Sequence, residues 1–442
     1  MKRFLLKIPV LLIFALVAAA QQPARIQQDV KYLASDELEG RLTGTKGATE
    51  AARYIAKEFS RLGLKPLISK SIETRDRYLQ SFPYVAGVSV GKGNSFLFGN
   101  ERLEVGTDWL PLGFSSSARV EGSVVFVGYG ITASELNHND YASVDATGKI
   151  AIALQGTPDG DNPHGRFGQF EGVRWKAIAA RNAGAKALIV IAREANFQDD
   201  RLTRLVYDNS AGDAGLPVIV ISREAADRML KASDASVAQL EQSTSSRILN
   251  GEISLTTDVV RREVAAYNVI GMMEGSDPVL KNEVIIIGAH YDHLGRGGEG
   301  SGSLAPRSGD IHYGADDNAS GTAGVLELAR IFSKQKPKRT ILFMTFSGEE
   351  EGLLGSNYYV NHPLLPLAST VAMINMDMIG RMKDGRLIVG GVGTAKEWRE
   401  MMATEKQFQL TLNEDGFGPS DHSSFYGKQI PVLFFWTGTH ND

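Results

Sequence analysis

Apolar and polar positions fall into two textures along the chain. From about residue 254 onward, short apolar runs alternate with helical stretches. "VIIIGAH" (284–290), "RTILFMTF" (339–346), "TVAMINMDMIG" (370–380) and "IPVLFFWTG" (430–438) each read as a strand, and "ASGTAGVLELARIFSKQ" (319–335) as a helix. This alternation predicts the α/β class, with a mostly parallel mixed sheet flanked by helices. Nearer the start, "ARIQQDVKYLASDELEGRLTG" (24–44) reads as a short helix and a polar loop. "ATEAARYIAKEFSRLGL" (48–64) then repeats Ala52, Ile55, Phe59 and Leu62 at helical spacing and stops at Gly63.

Between about 109 and 253 the runs are β-rich: "RVEGSVVFVGYGI", "GKIAIALQG", "AKALIVIA" and "LPVIVIS", with one helix, "GVRWKAIAARNAGA". No histidine and carboxylate cluster at ligand-like spacing there. Gly128-Tyr129-Gly130 lacks the third glycine and later acid of a dinucleotide site. Residues 109–253 are therefore expected to be an inserted, non-catalytic domain. Residues 21–108 and 254–442 would then be two halves of one discontinuous domain.

The first twenty residues, "MKRFLLKIPVLLIFALVAAA", combine a basic start, an apolar run and a small-residue end, the pattern of a cleaved export signal. The expected location is secreted or periplasmic. No other apolar stretch is long enough to span a bilayer, so no stable membrane insertion is expected after cleavage. Net charge is −4 over 442 residues, which gives no support for a nucleic-acid surface. The absence of cysteine excludes disulfides, thiolate metal sites and cysteine nucleophiles.

One passage conflicts with simple burial. The apolar run ending at Phe346 leads through Ser347-Gly348 into Glu349, Glu350 and Glu351. Adjacent acids suit a solvated helix start, yet they have company. His290 and Asp292 follow the strand "VIII", Asp316-Asp317-Asn318 opens a helix, Asp377 closes a strand, and Asp421-His422 precedes the last one. Singly, His290 reads as a core histidine, Asp317 as a helix cap and His422 as a loop residue. Jointly, histidines and acids at strand ends, where open α/β sheets bind ligands, point to metal. Nitrogen and oxygen ligands without sulfur suit zinc, with manganese or cobalt as alternatives.

The stretches "GAHYDHLG", "GADDNASG", "SGEEEGLLGS", "NMDMIGR" and "SDHSSFY" resemble the motif series of the co-catalytic zinc exopeptidases. More narrowly, they resemble the secreted bacterial aminopeptidase, glutamate carboxypeptidase and transferrin receptor family. "YLASDELEGRLTGTKG" is similar to that family's opening segment, and the insert resembles a protease-associated domain. The resemblance implies the zinc exopeptidase fold and two zinc ions. His290, Asp317 and Asp377 would hold one ion. Asp317, Glu350 and His422 would hold the other, with Asp317 bridging and the Asp317–Asn318 peptide bond cis. Glu349 would be the general base, Asp292 would orient His290 through its free ring nitrogen, and Glu351 would point outward. Three ligand carboxylates plus one hydroxide match the charge of two divalent cations.

The implied reaction removes N-terminal residues from peptide substrates, through a zinc-bound water and the Glu349 base. Three alternatives stay open. A carboxypeptidase would need a cationic pocket, for which Arg381 is the only basic residue close to a ligand motif. A glutaminyl-cyclase-like transferase would use a single zinc, and a receptor-like binding protein would have lost catalysis. Asp421 stands where some relatives carry a tyrosine that stabilises the tetrahedral intermediate. Side-chain preference and oligomeric state are left open.

Overall fold

The computed structural model describes residues 23–68, 76–160, 162, 164–298, 302–303 and 309–439. The expected export signal, 1–20, lies outside the described residues. The chain forms two compact units, one from the residues up to Tyr84 and from Val264 onward, the other Val85–Glu263.

In the first unit, helix α1 (Lys46–Arg61) starts at Thr45, whose side chain accepts from the Ala48 amide and satisfies one of the free amides of the first turn. Its buried stripe includes Ala52, Ile55 and Phe59. Burying Phe59 outright contributes roughly 1.5–3 kcal/mol. The strands are β1 (Lys65–Pro66), β2 (Leu79–Val90), β3 (Val259–Met273), β4 (Val284–His290), β5 (Thr340–Phe346), β6 (Thr370–Met376), β7 (Arg386–Gly390), β8 (Gln409–Leu412) and β9 (Val432–Trp436). They form a nine-stranded sheet whose path is β1-β3-β5-β4-β6-β9-β7-β8, with β2 off that path. The centre, β5-β4-β6-β9, is parallel, while β3 joins β5 and β7 joins β9 antiparallel. Helices α2 (Gly321–Phe332), α3 (Leu354–Asn361), α4 (Lys396–Ala403) and α5 (His422–Tyr426) connect these strands.

The continuous apolar runs follow from burial of both sheet faces. Val269, Ile287 and Phe343 pack with Ile55, Phe59 and Leu326 on one face. Ile270, Ile286, Leu342 and Met344 pack with Tyr359 and Phe425 on the other. Alternate residues of one strand thus enter different cores, and no position in the run can be polar without cost.

The second unit is an eight-stranded sheet. Arg119–Phe126, Ile150–Leu154, Ala187–Ile191 and Val218–Ile221 run parallel to their neighbours. Arg247–Thr256 closes one side antiparallel, and Trp109–Pro111 the other. Ser95–Phe98 pairs with Ile253–Thr256, and Glu101–Leu103 pairs with Ser95–Phe98. These pairings extend the unit to Val85–Glu263, wider than the expected 109–253. The extension rests on partners more than a hundred residues away, which local texture does not encode. Among the described residues, no helix is long and apolar enough to cross a membrane.

Candidate metal centre

Three parallel strands bring their carboxyl ends together at the site. His290 is the last residue of β4 and pairs with Phe346, the last of β5. Gly288 of β4 pairs with Asn375 of β6, two residues before Asp377. Past β5 the chain turns through Gly348 at φ +76°, where a Cβ would meet the Leu354 side chain at 2.8 Å. Only glycine accommodates both demands, and the turn sends Glu349 and Glu350 back over the strand end. Asp317 lies in the irregular segment Ala315–Ser320 that leads into α2. The Asp317–Asn318 peptide bond is cis, as the family resemblance implies.

His290 is buried, and its Nε2 is the common point. It lies 3.2 Å from Asp317 Oδ1, 3.3 Å from Asp377 Oδ1 and 3.8 Å from Glu349 Oε2. Ligand atoms of His290, Asp317 and Glu350 all fall within 4.8 Å of one another, and so do those of His290, Glu349 and Asp377. Both of these groups lie in the first unit. Five of the expected site residues therefore converge, grouped differently from the two ligand sets implied by resemblance. Glu349 sits beside Asp377 in one group, and His290 is shared by both.

His422 belongs to neither group. Its ring is buried and stacked on Phe434, with centroids 4.3 Å apart and planes at 11°, and its Nδ1 has no hydrogen-bond partner. A residue missed by sequence reasoning takes the place beside Glu350: His293 Nδ1 is 2.5 Å from Glu350 Oε1. Its only signal was the three-residue spacing from His290 in "HYDH". Glu351, expected to point outward, accepts a hydrogen bond from the Tyr84 hydroxyl.

Supporting contacts fix the ring and the acids. His290 Nδ1 is 3.3 Å from the Asp292 backbone oxygen and 3.6 Å from its carboxylate, so the carbonyl is the nearer partner. The Asp292 carboxylate accepts from Thr43 Oγ1 at 3.0 Å and from the Glu349 amide at 3.3 Å. Thr322 donates to the His290 carbonyl, and Ser420 donates to Asp377 Oδ2 at 2.8 Å.

Crowded buried acids perturb one another. Burial, with Asp377, Asp421 and Glu350 close by, holds Glu349 well above the usual carboxylate range against the pull of His290. Burial and Asp317 raise Glu350 against its hydrogen bond to His293. Burial pushes His290 down, but Asp377 and Glu349 outweigh it and leave the imidazole well above 6.5. Burial also opposes ionisation of Asp317, yet the His290 hydrogen bond and charge keep it low. Asp421 is pushed up to about 7 by burial, and His422 down to about 4 by the same cause.

The arrangement fits a divalent cation. Its donors are nitrogen and oxygen only, the chemistry of zinc sites without thiolate. Four carboxylates surround one imidazole, an excess of negative charge that burial penalises unless a cation joins them. His422 keeps an unpartnered ring Nδ1.

Fold and side chains together define an α/β protein with a carboxylate-rich cation site at the ends of parallel strands. Residues 268–442 match the model of Peptidase family M28, and residues 120–229 match that of the PA domain. An aminopeptidase of Pseudomonas aeruginosa is 25% identical over 376 residues, covering 83% of this chain and 59% of that protein. Aminopeptidase YwaD of Bacillus subtilis is 25% identical over 381 residues, covering 80% of this chain and 72% of that one. The solved aminopeptidase from Aneurinibacillus sp. strain AM-1 is 23% identical, with 94% of this chain and 85% of that chain covered and a TM-score of 0.49. This chain thus spans 59% of the length of the Pseudomonas relative it matches. The chain is similar to Peptidase family M28 over residues 268–442 and to the PA domain over residues 120–229.

Proposed function

We propose that the protein is a zinc-dependent aminopeptidase that removes N-terminal residues from peptides. The observation that carries this reading is the convergence of His290, Asp317, Glu349, Glu350 and Asp377 at three strand ends. His290, Asp317, Glu350 and Asp377 would hold two zinc ions, with His422 as the fifth ligand. When bound, zinc would acidify a water molecule and polarise the scissile carbonyl.

Glu349 is the general base. It takes the proton of the attacking water and delivers it to the leaving amine. Its buried position among acids favours holding that proton between the two transfers. Asp292 fixes the Glu349 backbone and faces the His290 ring, so base and ligand keep one spacing. Unbalanced acids at the site also suit a protonated substrate amine, which favours a free N-terminus over a C-terminal carboxylate. Both curated relatives described above are named aminopeptidases. The basic and apolar run of residues 1–20 supports export, to the periplasm or the medium.

The test is a panel of aminoacyl-naphthylamides and N-blocked peptides, assayed with and without chelator beside metal analysis. Cleavage of free aminoacyl substrates that disappears with chelator is the expected result. Release of C-terminal residues from N-blocked peptides alone would replace this reading with a carboxypeptidase. Metal-bound protein without turnover would leave a binding protein.

A further inference from the structure

The polar segment "ELEGRLTG" reads from sequence as a loop, yet its arginine is 0% exposed. Arg41 Nε donates to the Tyr291 carbonyl at 2.7 Å, Nη1 to the Tyr313 carbonyl at 2.8 Å, and Nη2 to the Gly314 carbonyl at 2.9 Å. Nη1 also donates to the Leu33 carbonyl. Tyr291 follows the ligand His290, and Tyr313-Gly314 leads into the segment that carries Asp317. One guanidinium therefore grips both ligand-bearing loops through their backbones.

The same segment is laced to those loops by its own main chain. The His293 amide donates to the Arg41 carbonyl at 3.3 Å, and the Gly295 amide to the Gly40 carbonyl at 3.1 Å. The His312 amide closes the set on the Gly295 carbonyl at 2.8 Å. Gly40 adopts φ +71°, and a Cβ there would sit 2.5 Å from both the Gly295 and His312 carbonyl oxygens. Thr43 reaches the third loop: its hydroxyl donates to Asp292 Oδ2 at 3.0 Å and lies 3.2 Å from Ser347 Oγ. Asp292 in turn accepts from the Glu349 amide.

We propose that Arg41 is a positioning residue for the metal centre, holding the loops after β4 and before α2 in the spacing that lets His290 and Asp317 share a cation. The proposal rests on the zinc-site reading given above. A lysine cannot replace it, because four carbonyls in different directions need the planar, five-donor fork of arginine. Among the described residues no carboxylate forms an ion pair with Arg41, whose charge meets Asp292, Asp317 and Glu350 only at longer range. Charge and geometry therefore predict opposite outcomes. A cation beside the site repels zinc, so removing it would tighten binding if charge were its only role. If positioning dominates, removing it weakens binding.

The experiment measures zinc affinity by chelator competition for the full chain and for Arg41→Lys and Arg41→Gln. Both variants are expected to bind about 10- to 100-fold more weakly, the usual effect of losing an outer-shell partner. Equal or tighter binding by either one overturns the proposal. Unaltered chain that binds no zinc removes the functional reading, and this inference with it. Because a buried arginine variant can fail to fold, amide hydrogen exchange of the unaltered, chelated chain gives a second measure. The His293, Gly295 and His312 amides should exchange slowly without metal. Fast exchange that slows only when zinc is added would mean that the metal, not Arg41, arranges the loops.

Discussion

Two buried ionic clusters in the first unit differ in one respect. In the first, Arg330 donates to Asp29 at 2.5 and 3.1 Å and to Glu58 at 3.0 Å, and lies 3.5 Å from Glu327. Arg61 pairs with Glu58 and Arg25 with Glu327. Three arginines meet three acids, and the cluster closes on itself. In the second, Asp292, Asp317, Glu349, Glu350 and Asp377 face His290, His293 and Arg41. Five acids outnumber three basic groups even with both imidazoles protonated. A closed cluster ties α1 and α2 to the residues before them. An open one is incomplete until a cation arrives, and that imbalance separates a binding site from a structural network.

The largest effect expected from this contrast is on turnover. Glu349→Gln should keep both ions and bind substrate, yet lose about 10² to 10⁴ in kcat, the usual worth of a general base. Near-normal turnover in a metal-loaded variant would remove Glu349 from the mechanism. Loss of metal would instead make it a ligand.

Next in size is the closed cluster. Arg330→Met leaves Asp29, Glu58 and Glu327 short of a partner and should cost about 3–5 kcal/mol of stability, as breaking buried pairs does. Urea titration reads that loss. Zinc affinity should stay at its original value, and a parallel fall would show that the two clusters are not independent.

The open cluster divides further. Glu350→Gln should weaken one ion, so that added zinc restores part of the activity, and His422→Ala should lower zinc content from about two equivalents toward one. His422 lies outside both convergent groups, so this variant tests it most directly. Unchanged zinc content would leave His293 as the histidine that serves Glu350.

The smallest effect is the pH dependence. His290 and Glu349 both stand above their ordinary values in the metal-free protein. Ligation by His290 requires its proton to leave, so zinc affinity should climb as pH rises above 6.5, by up to about tenfold per unit for each proton released. The sign follows because acid conditions keep the imidazole charged and closed to metal. Chelator competition between pH 6 and 8.5 with a flat profile would contradict it.

Much of this was legible in the chain. The runs around Ile286, Leu342, Met373 and Leu433 identified four central strands, because continuous apolar character is the mark of a strand buried on both faces. Strands β7 and β8 were not foreseen. Their burial is partial, and Arg386–Gly390 carries no strong pattern. His290, Glu349, Glu350 and Asp377 were legible as a group because each stands where an apolar run ends. Arg41 was not, since a polar stretch gives no sign that one of its side chains will be enclosed.

The sequence by itself determined the four central strands, helices α1 and α2, and the ligand chemistry of the side chains that follow those strands, because periodicity and ligand chemistry are local properties. Tertiary structure alone decided that Arg41 is buried against the loops that carry His290 and Asp317, that His293 touches Glu350, and that the second compact unit begins at Val85. Each of these depends on partners separated by tens to hundreds of residues. Their proximity is set by strand order and packing, which a local pattern does not carry.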